Sequence, residues 1–315
     1  MAKKKLPKIV QYIKDNPPTP INYAFEKNIS FSQASLYWQC PKRWALHYRD
    51  GHKIYEQNIY STFGTAMHET LQMYLDVMYD ESGAAADRID LIEDFEERLR
   101  NEYKKSYIKN NKKHFSDPKQ IREFYDDGVE IINFFKKNRS KYFSKRGWHL
   151  VGCEIPIIIP PNPFLPNVKY LGYLDIVMYH EPTNTFKIID IKTSTNGWNQ
   201  NAKKDKVKQY QLVLYKKYFA EHYKVDIDTI EIEFFILRRK VWESSEFPIK
   251  RVQLFEPPSG KTSVNKASKM VNEFLNECFN REGFTTKEMP ETPNANCKWC
   301  PYHKTHLCSA TFEES

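Results

Sequence analysis

The tripeptide Asp190-Ile191-Lys192 contains the residues of this sequence that could do chemistry most directly. It follows a β-branched stretch that predicts a strand, in which residues i and i+2 project to the same face. Asp190 and Lys192 should therefore lie side by side, while Ile191 packs on the opposite face. Asp175 lies in the preceding predicted strand, and a turn over residues 181–184 would join the two strands as a hairpin. The sequence thus predicts two carboxylates and one ammonium group in one place.

Two carboxylates on adjacent strands form a compact site for a hard cation. Carboxylate oxygens are the ligands that Mg²⁺ and Mn²⁺ prefer. The ammonium of Lys192 could hold or deprotonate a water molecule, or neutralise charge that develops on a phosphate. However, Asp-x-Lys is also common as an ordinary surface salt bridge. The tripeptide alone therefore leaves both interpretations open.

A second set of candidate ligands lies near the C-terminal end. Cys297-Lys-Trp-Cys300 is a C-x-x-C pair, and Cys308 follows in the same predicted loop. One more ligand would complete a four-coordinate site. His303 or His306 could complete a zinc site locally, whereas a fourth cysteine would favour an iron–sulfur cluster.

The number of cysteines also bears on the cellular compartment of the protein. The chain has six cysteines, and its start shows no apolar stretch typical of a secretory signal. We therefore expect a cytoplasmic, reducing environment, in which thiols bind metals or remain free. Cys153 and Cys278 fall on apolar faces of a predicted strand and helix, so we expect both to be buried thiols. No apolar stretch is long enough for a membrane span.

The spacing of Asp175 and Asp190 across a strand–turn–strand resembles that of the PD-(D/E)xK nuclease superfamily. Further motifs resemble its RecB-like branch, which includes the AddB nucleases and the CRISPR-associated adaptation nucleases. The resemblance extends from about Phe31 to Cys308. Its remaining motifs are Gly64-Thr-Ala-Met-His68-Glu, Gln211-Leu-Val-Leu-Tyr215, and Cys40 together with Cys297, Cys300 and Cys308.

This resemblance implies roles for individual residues. His68, Asp175, Asp190 and the backbone carbonyl of Ile191 would surround one Mg²⁺ or Mn²⁺ ion, and Lys192 would assist hydrolysis. Gln211 and Tyr215, four residues apart on one helix face, would orient the active site or the DNA backbone. Glu154 occupies a position where the family often has a glutamate. The four cysteines that would hold a 4Fe–4S cluster are Cys40, Cys297, Cys300 and Cys308.

The implied activity is metal-dependent hydrolysis of phosphodiester bonds in DNA. Because exonucleases dominate the RecB-like branch, we expect an exonuclease that acts on ends of single-stranded DNA in recombination, repair or phage replication. A helicase or recombination protein would be a possible partner. The alternatives are a CRISPR-type adaptation nuclease and an inactive DNA-binding relative, although intact Asp175, Asp190 and Lys192 argue against the latter.

The charge of the chain agrees with a polyanionic partner. Lys and Arg number 48 against 40 Asp and Glu, which gives a formal net charge of +8. Several lysines also occur in the short stretch just before Tyr210, where they could contact successive phosphates of a DNA backbone. These lysines are Lys203, Lys204, Lys206 and Lys208.

The predicted fold class is α/β: a mixed sheet of about five strands flanked by helices, as in a PD-(D/E)xK nuclease core. Apolar residues at helical spacing predict a helix from Phe63 to about Met78, and further helices over residues 87–143 that Pro118 divides. Ser32 is the predicted cap of a helix that ends near Gln39. We expect four consecutive segments: an N-terminal arm (1–30), a helical subdomain carrying Cys40 and His68 (31–148), the nuclease core (149–284) and a cysteine loop (285–315).

Overall fold

The helices of the computed structural model follow the apolar periodicity of the sequence. The structure describes residues 6–54, 57–143, 145–241 and 250–310. A π-helical turn, Ala45–Arg49, and a 3₁₀ helix, Ala295–Trp299, accompany the α-helices. The α-helices are α1 (Lys8–Asp15), α2 (Phe31–Gln39), α3 (Pro41–Trp44), α4 (Ile59–Asp80), α5 (Gly83–Asp87), α6 (Leu91–Lys109), α7 (Pro118–Tyr142), α8 (Gln200–Lys204), α9 (Lys206–Tyr223) and α10 (Lys261–Cys278).

The described strands form a mixed six-stranded sheet and a separate two-stranded hairpin. In the sheet, β3 pairs antiparallel with β4, β4 pairs parallel with β5, and β5 pairs antiparallel with β6. The edge strand β1 runs parallel to the first residues of β3, and β2 also pairs with β3. The strands are β1 (Lys27–Ile29), β2 (Trp148–Ile159), β3 (Val168–His180), β4 (Thr185–Ser194), β5 (Ile230–Arg238), β6 (Val252–Phe255), β7 (Phe279–Asn280) and β8 (Gly283–Phe284).

The predicted α/β class, with a mixed sheet flanked by helices, is confirmed. The sheet has six strands and not the predicted five, because the short strand β1 joins it. The three residues of β1 are too few to show the two-residue period of a strand in the sequence. The segment predicted as an N-terminal arm also contains α1. Ser30, and not Ser32, caps α2: its side chain accepts a hydrogen bond from the backbone N–H of Gln33. Cys40-Pro41 separates α2 from α3 as predicted.

Two compact units divide the chain, and neither is a single continuous segment. The larger unit comprises Met1–Pro17, Glu56–Ile155 and Tyr173–Gly260. The smaller unit comprises Pro18–Tyr55, Pro156–Gly172 and Lys261–Ser315. This grouping differs from four consecutive segments because the chain leaves and re-enters each unit along β2 and β3. No helix among the described residues is long and apolar enough to cross a membrane.

The core of the larger unit is built on α4. Phe63, Met67, Leu71 and Tyr74 recur every three or four residues, and each is at most 1% exposed. They belong to one apolar cluster with residues of α6, α7 and the sheet, among them Ile191. The predicted amphipathic helix is therefore confirmed, and its apolar face holds α4 beside the strand that carries Asp190 and Lys192.

Ion pairs attach α7 to the residues that follow β5. Some charged residues of the helical region 87–143 are therefore buried contacts within the protein, which the sequence did not predict. The guanidinium of Arg239, which is 4% exposed, lies 2.6 Å from the carboxylate of Asp127, itself 5% exposed. Lys240 Nζ lies 2.8 Å from the other oxygen of Asp127. Arg239 also donates a hydrogen bond to Thr195 Oγ1, in the loop that follows β4. The charged face of α7 is therefore partly an internal contact surface.

We expect Asp127→Ala to lower the free energy of unfolding by about 3–5 kcal/mol, because it leaves the buried Arg239 without its main partner. Urea unfolding followed by circular dichroism measures the change. The adjacent Asp126 pairs with Arg122 at the surface, where its side chain is 53% exposed. Asp126→Ala is the matched control and should cost about 1 kcal/mol or less. Equal losses in the two variants would contradict a specific role for the buried pair.

Candidate active site

The hairpin of β3 and β4 brings the two predicted catalytic aspartates together. Its register pairs Ile176 with Ile189. Asp175 and Asp190 are the next residues on each strand, so they lie opposite each other at the end of the paired region. The backbone N–H of Ile191 donates a 2.7 Å hydrogen bond to Asp175 Oδ2. The Asp175 carboxylate thus accepts a hydrogen bond from a backbone N–H of β4 at the point where strands β3 and β4 separate.

Asp190 and Lys192 project from the same face of β4, as their spacing predicts. Asp190 is 1% exposed, and Lys192 Nζ lies 2.6 Å from its Oδ2 atom. This contact is a close ion pair between a buried carboxylate and an ammonium group. Apart from this ion pair, the carboxylate oxygens of Asp190 have no hydrogen-bond partner among the described residues. Burying a carboxylate without hydrogen-bond partners costs free energy unless a cation lies beside it.

Burial and mutual repulsion change the proton affinities of these groups. Burial raises the pKa of Asp175, and the nearby charge of Asp190 raises it further. Burial also raises the pKa of Asp190, although the Lys192 ammonium opposes this effect. For Lys192, burial favours the neutral amine, but the Asp190 and Asp175 carboxylates outweigh burial and raise its pKa. The ammonium therefore stays charged at neutral pH.

His68 reaches this site from α4. Its Nδ1 atom lies 3.5 Å from Asp175 Oδ2, and its ring also contacts the backbone of Ile191. Burial and the Lys192 charge lower the pKa of His68 to about 4, so the imidazole is neutral over the physiological range. Gly64, one turn before His68, allows the close approach of helix and strand. A Cβ atom there would lie 3.3 Å from Thr193 Oγ1.

Gln211 and Tyr215 lie together on α9, as predicted. Gln211 Nε2 donates a 3.1 Å hydrogen bond to the Tyr215 hydroxyl. Burial raises the pKa of Tyr215 to about 12, and the Asp190 and Asp175 carboxylates also raise it. The hydroxyl is therefore protonated. Because it accepts from Gln211, its own hydrogen remains available to another acceptor.

Gln72 belongs to the same site, but it was not recognised from the sequence. It lies one turn after His68 on α4 and is 5% exposed. Its Nε2 atom donates to Glu154 Oε1 at 2.6 Å and to the backbone carbonyl oxygen of Asp175 at 3.0 Å. The detectable signal was the spacing of Gly64, His68 and Gln72, which places all three on one helix face.

The donors at this site suit a hard divalent cation. They are the buried carboxylate of Asp190, the partly buried carboxylate of Asp175, a neutral imidazole and a backbone carbonyl. Apart from the Lys192 ion pair, the oxygens of Asp190 have no hydrogen-bond partner among the described residues. In the described residues these side chains contact one another, and no group of three or more His, Cys, Asp or Glu is spaced to bind one metal ion. Small movements of Lys192 and His68 would have to accompany binding. The donor chemistry fits Mg²⁺ or Mn²⁺.

The lysines before Tyr210 extend from this site along α8 and the start of α9. Lys203 Nζ lies 5.7 Å from the ring centroid of Phe255, and Lys208 Nζ lies 5.9 Å from that of Trp198. The loop carrying Trp198 follows β4 and is held by Gln253, whose side chain hydrogen-bonds both the N–H and the carbonyl of Trp198. Basic and aromatic groups are therefore interleaved here.

In the smaller unit, the four predicted cluster cysteines line one cavity. Cys40 lies between α2 and α3, Cys297 lies in the 3₁₀ helix, and Cys300 ends that helix. Burial raises the pKa of the Cys308 thiol, and the nearby Cys300 and Cys40 raise this pKa further. All six cysteines are free thiols. Cys278 is buried as expected, and Cys153 is partly buried.

Backbone contacts hold the C-terminal segment on both sides of Cys40. Asn294 Nδ2 donates a 2.8 Å hydrogen bond to the carbonyl of Gln39, and the N–H of Lys42 donates to the carbonyl of Pro290 at 3.1 Å. His303 also lines the cavity, and its Nε2 atom is buried without a hydrogen-bond partner among the described residues. The thiols and His303 are the donor types of a cluster or a zinc site, but no three of the described Cys and His side chains are spaced to bind one metal ion.

The sequence profile of the PD-(D/E)XK nuclease superfamily matches residues 28–305, which is most of the chain. This chain belongs to that superfamily. It is also similar to the crystal structure of a "putative exonuclease" from Eubacterium rectale, at 12% identity and a TM-score of 0.44, over 82% of this chain and 84% of that chain. Comparison with curated proteins gave no significant match.

Proposed function

We propose that this nuclease is a divalent-metal-dependent deoxyribonuclease of the RecB-like branch. The observation that supports this proposal most is the meeting of Asp175, Asp190, Lys192 and His68 at one end of the β3–β4 hairpin. Carboxylates, a neutral imidazole and a fixed ammonium are the groups that hydrolysis of a phosphodiester needs. The proposed metal ligands are His68, Asp175, Asp190 and the carbonyl of Ile191.

Bound Mg²⁺ or Mn²⁺ would supply an activated water molecule and stabilise the charge of the pentavalent phosphorus. The water oxygen would form a bond to phosphorus as the bond to the leaving sugar oxygen breaks. The proton that the water gives up would pass to solvent, and the leaving oxygen would take up a proton from solvent. Lys192 is charged, so it neutralises negative charge on the phosphate and does not act as a base. Tyr215 donates its hydroxyl hydrogen to a phosphate oxygen, and Gln211 keeps the hydroxyl oriented for this contact.

The interleaved basic and aromatic surface supports DNA as the substrate. Four lysines precede Gln211, so a strand bound at Tyr215 can continue along them. Lys203 and Lys204 lie on α8, and Lys206 and Lys208 lie at the start of α9. Their charges attract phosphates, and the neighbouring rings of Trp198 and Phe255 can stack on unpaired bases. Stacking requires exposed bases, which favours single-stranded DNA. We further propose that cleavage starts at strand ends, in recombination, repair or phage replication.

We also propose that Cys40, Cys297, Cys300 and Cys308 hold a 4Fe–4S cluster. Four free thiols that line one cavity support this proposal, since four thiolates are the ligand set of such clusters. The cysteines belong to the smaller unit, whereas the catalytic residues belong to the larger one. The cluster would therefore stabilise the smaller unit and take no part in hydrolysis.

The proposed activity is tested by incubating the purified protein with end-labelled linear and circular single-stranded DNA, in Mg²⁺, Mn²⁺ or chelator. We expect linear DNA to be degraded only with metal, while circles remain intact. Rapid cleavage of circles would identify an endonuclease instead. Binding of DNA without any cleavage would identify an inactive DNA-binding relative.

A further inference from the structure

Gln72 uses both hydrogens of its side-chain amide on groups beside the catalytic aspartates. One hydrogen bond, of 2.6 Å, goes to Glu154 on β2, and the other, of 3.0 Å, goes to the backbone carbonyl of Asp175 on β3. The amide is buried, so both bonds replace hydrogen bonds to water. A single side chain of α4 thus connects two strands at the active site.

Glu154 needs such a connection because its backbone is unusual. Its φ angle is +50°, in the left-handed region that non-glycine residues rarely adopt, although the residue lies within a strand. A conformation of this kind is disfavoured for a non-glycine residue and persists only where the surroundings fix it. It directs the side chain of Glu154 to Gln72, and the carboxylate lies close enough to Asp175 to raise the pKa of Asp175.

We propose that Gln72 is a positioning residue: it holds the Glu154 carboxylate beside Asp175 against the repulsion of the two charges. This inference rests on the proposed metal-dependent function. With Gln72 in place, the exposed Glu154 carboxylate is held where its charge acts on Asp175. The hydrogen bond to the Asp175 carbonyl also fixes β3 relative to α4, the helix that carries His68. Residues that orient metal-binding groups in this way typically change metal affinity by about 10- to 100-fold.

The direct test is Gln72→Met, which keeps side-chain length and removes both donors. We expect Mn²⁺ affinity, measured by titration calorimetry without DNA, to fall by about tenfold or more. Single-stranded DNA binding in chelator should not change. Gln209→Met is the matched control, since Gln209 is equally buried on α9 but lies outside the site, and it should leave Mn²⁺ affinity unchanged. Gln72→Asn, whose amide is too short to span both acceptors, replaces Gln72→Met if that variant does not fold.

A double-mutant cycle separates positioning from a general structural role. If Gln72 acts through Glu154, Glu154→Gln should weaken Mn²⁺ binding, and adding Gln72→Met should weaken it little further. Fully additive losses, or loss of thermal stability with Mn²⁺ affinity unchanged, would overturn the proposal. Absence of Mn²⁺ binding in the unmodified protein would instead refute the proposed metal-dependent function.

Discussion

Asp190→Ala and Lys192→Ala should each lower the rate of DNA cleavage by about 10³-fold, the scale expected when one charged group is removed from a phosphoryl-transfer site. Both residues lie in the second half of β4 and project from the same face of the strand, at the proposed active site. Circular dichroism should show that both variants remain folded. Rates are compared on end-labelled single-stranded DNA under single-turnover conditions.

The two substitutions should differ in metal binding. Asp190→Ala removes a proposed ligand and should weaken Mn²⁺ binding in titration calorimetry. Lys192→Ala removes an ammonium that competes for the same carboxylate, so Mn²⁺ should bind at least as tightly as before. Lys217→Ala is a suitable control because Lys217 forms a surface ion pair with Glu221 on α9. Normal cleavage by either active-site variant would refute the assignment of this site.

Cys40→Ala should remove the colour and much of the thermal stability together. Purified without oxygen, the unmodified protein should be brown and contain about four iron atoms per chain. A centre held by Cys40 and Cys297 closes a loop that includes most of the chain. Cross-links of such loops contribute about 4–5 kcal/mol. The melting temperature should therefore fall by about 10 °C or more.

Two further variants make this result specific. Cys278→Ala changes a buried cysteine of α10 in the same unit, and it should retain the iron. His303→Ala tests the zinc alternative, because His303 lines the same cavity. A colourless protein with one zinc ion, which His303→Ala releases and Cys40→Ala does not, would replace the cluster proposal with a zinc site.

The sequence predicted the long elements and the main chemical groups because both depend on local patterns. The apolar spacing of α4, the β-branched stretch of β4 and the Asp-x-Lys spacing each correspond to what the structure shows. What could not be predicted depends on contacts between distant segments. The short strand β1 forms only by pairing with β3, and Asp127 becomes a buried partner only when Arg239 reaches it.

The same distinction applies within the active site. Asp175 and Lys192 were proposed from residue type and spacing, and His68 from the resemblance to the RecB-like branch. Gln72 was not proposed, because its spacing from Gly64 and His68 marks a helix face but not the partners of its amide. The resemblance drew attention to Glu154, but its left-handed backbone became visible only in the structure. Groups that support a site are thus harder to predict than the groups that form it.

The contacts of Asn294 and Pro290 with the two sides of Cys40 have a consequence for biosynthesis. During translation, Gln39 and Lys42 leave the ribosome early, whereas their hydrogen-bond partners are made only after most of the chain. The thiol-lined cavity can therefore assemble only after Cys308 has been synthesised. Any metal centre held by Cys40 and Cys308 would be inserted after that point, long after Cys40 itself is made.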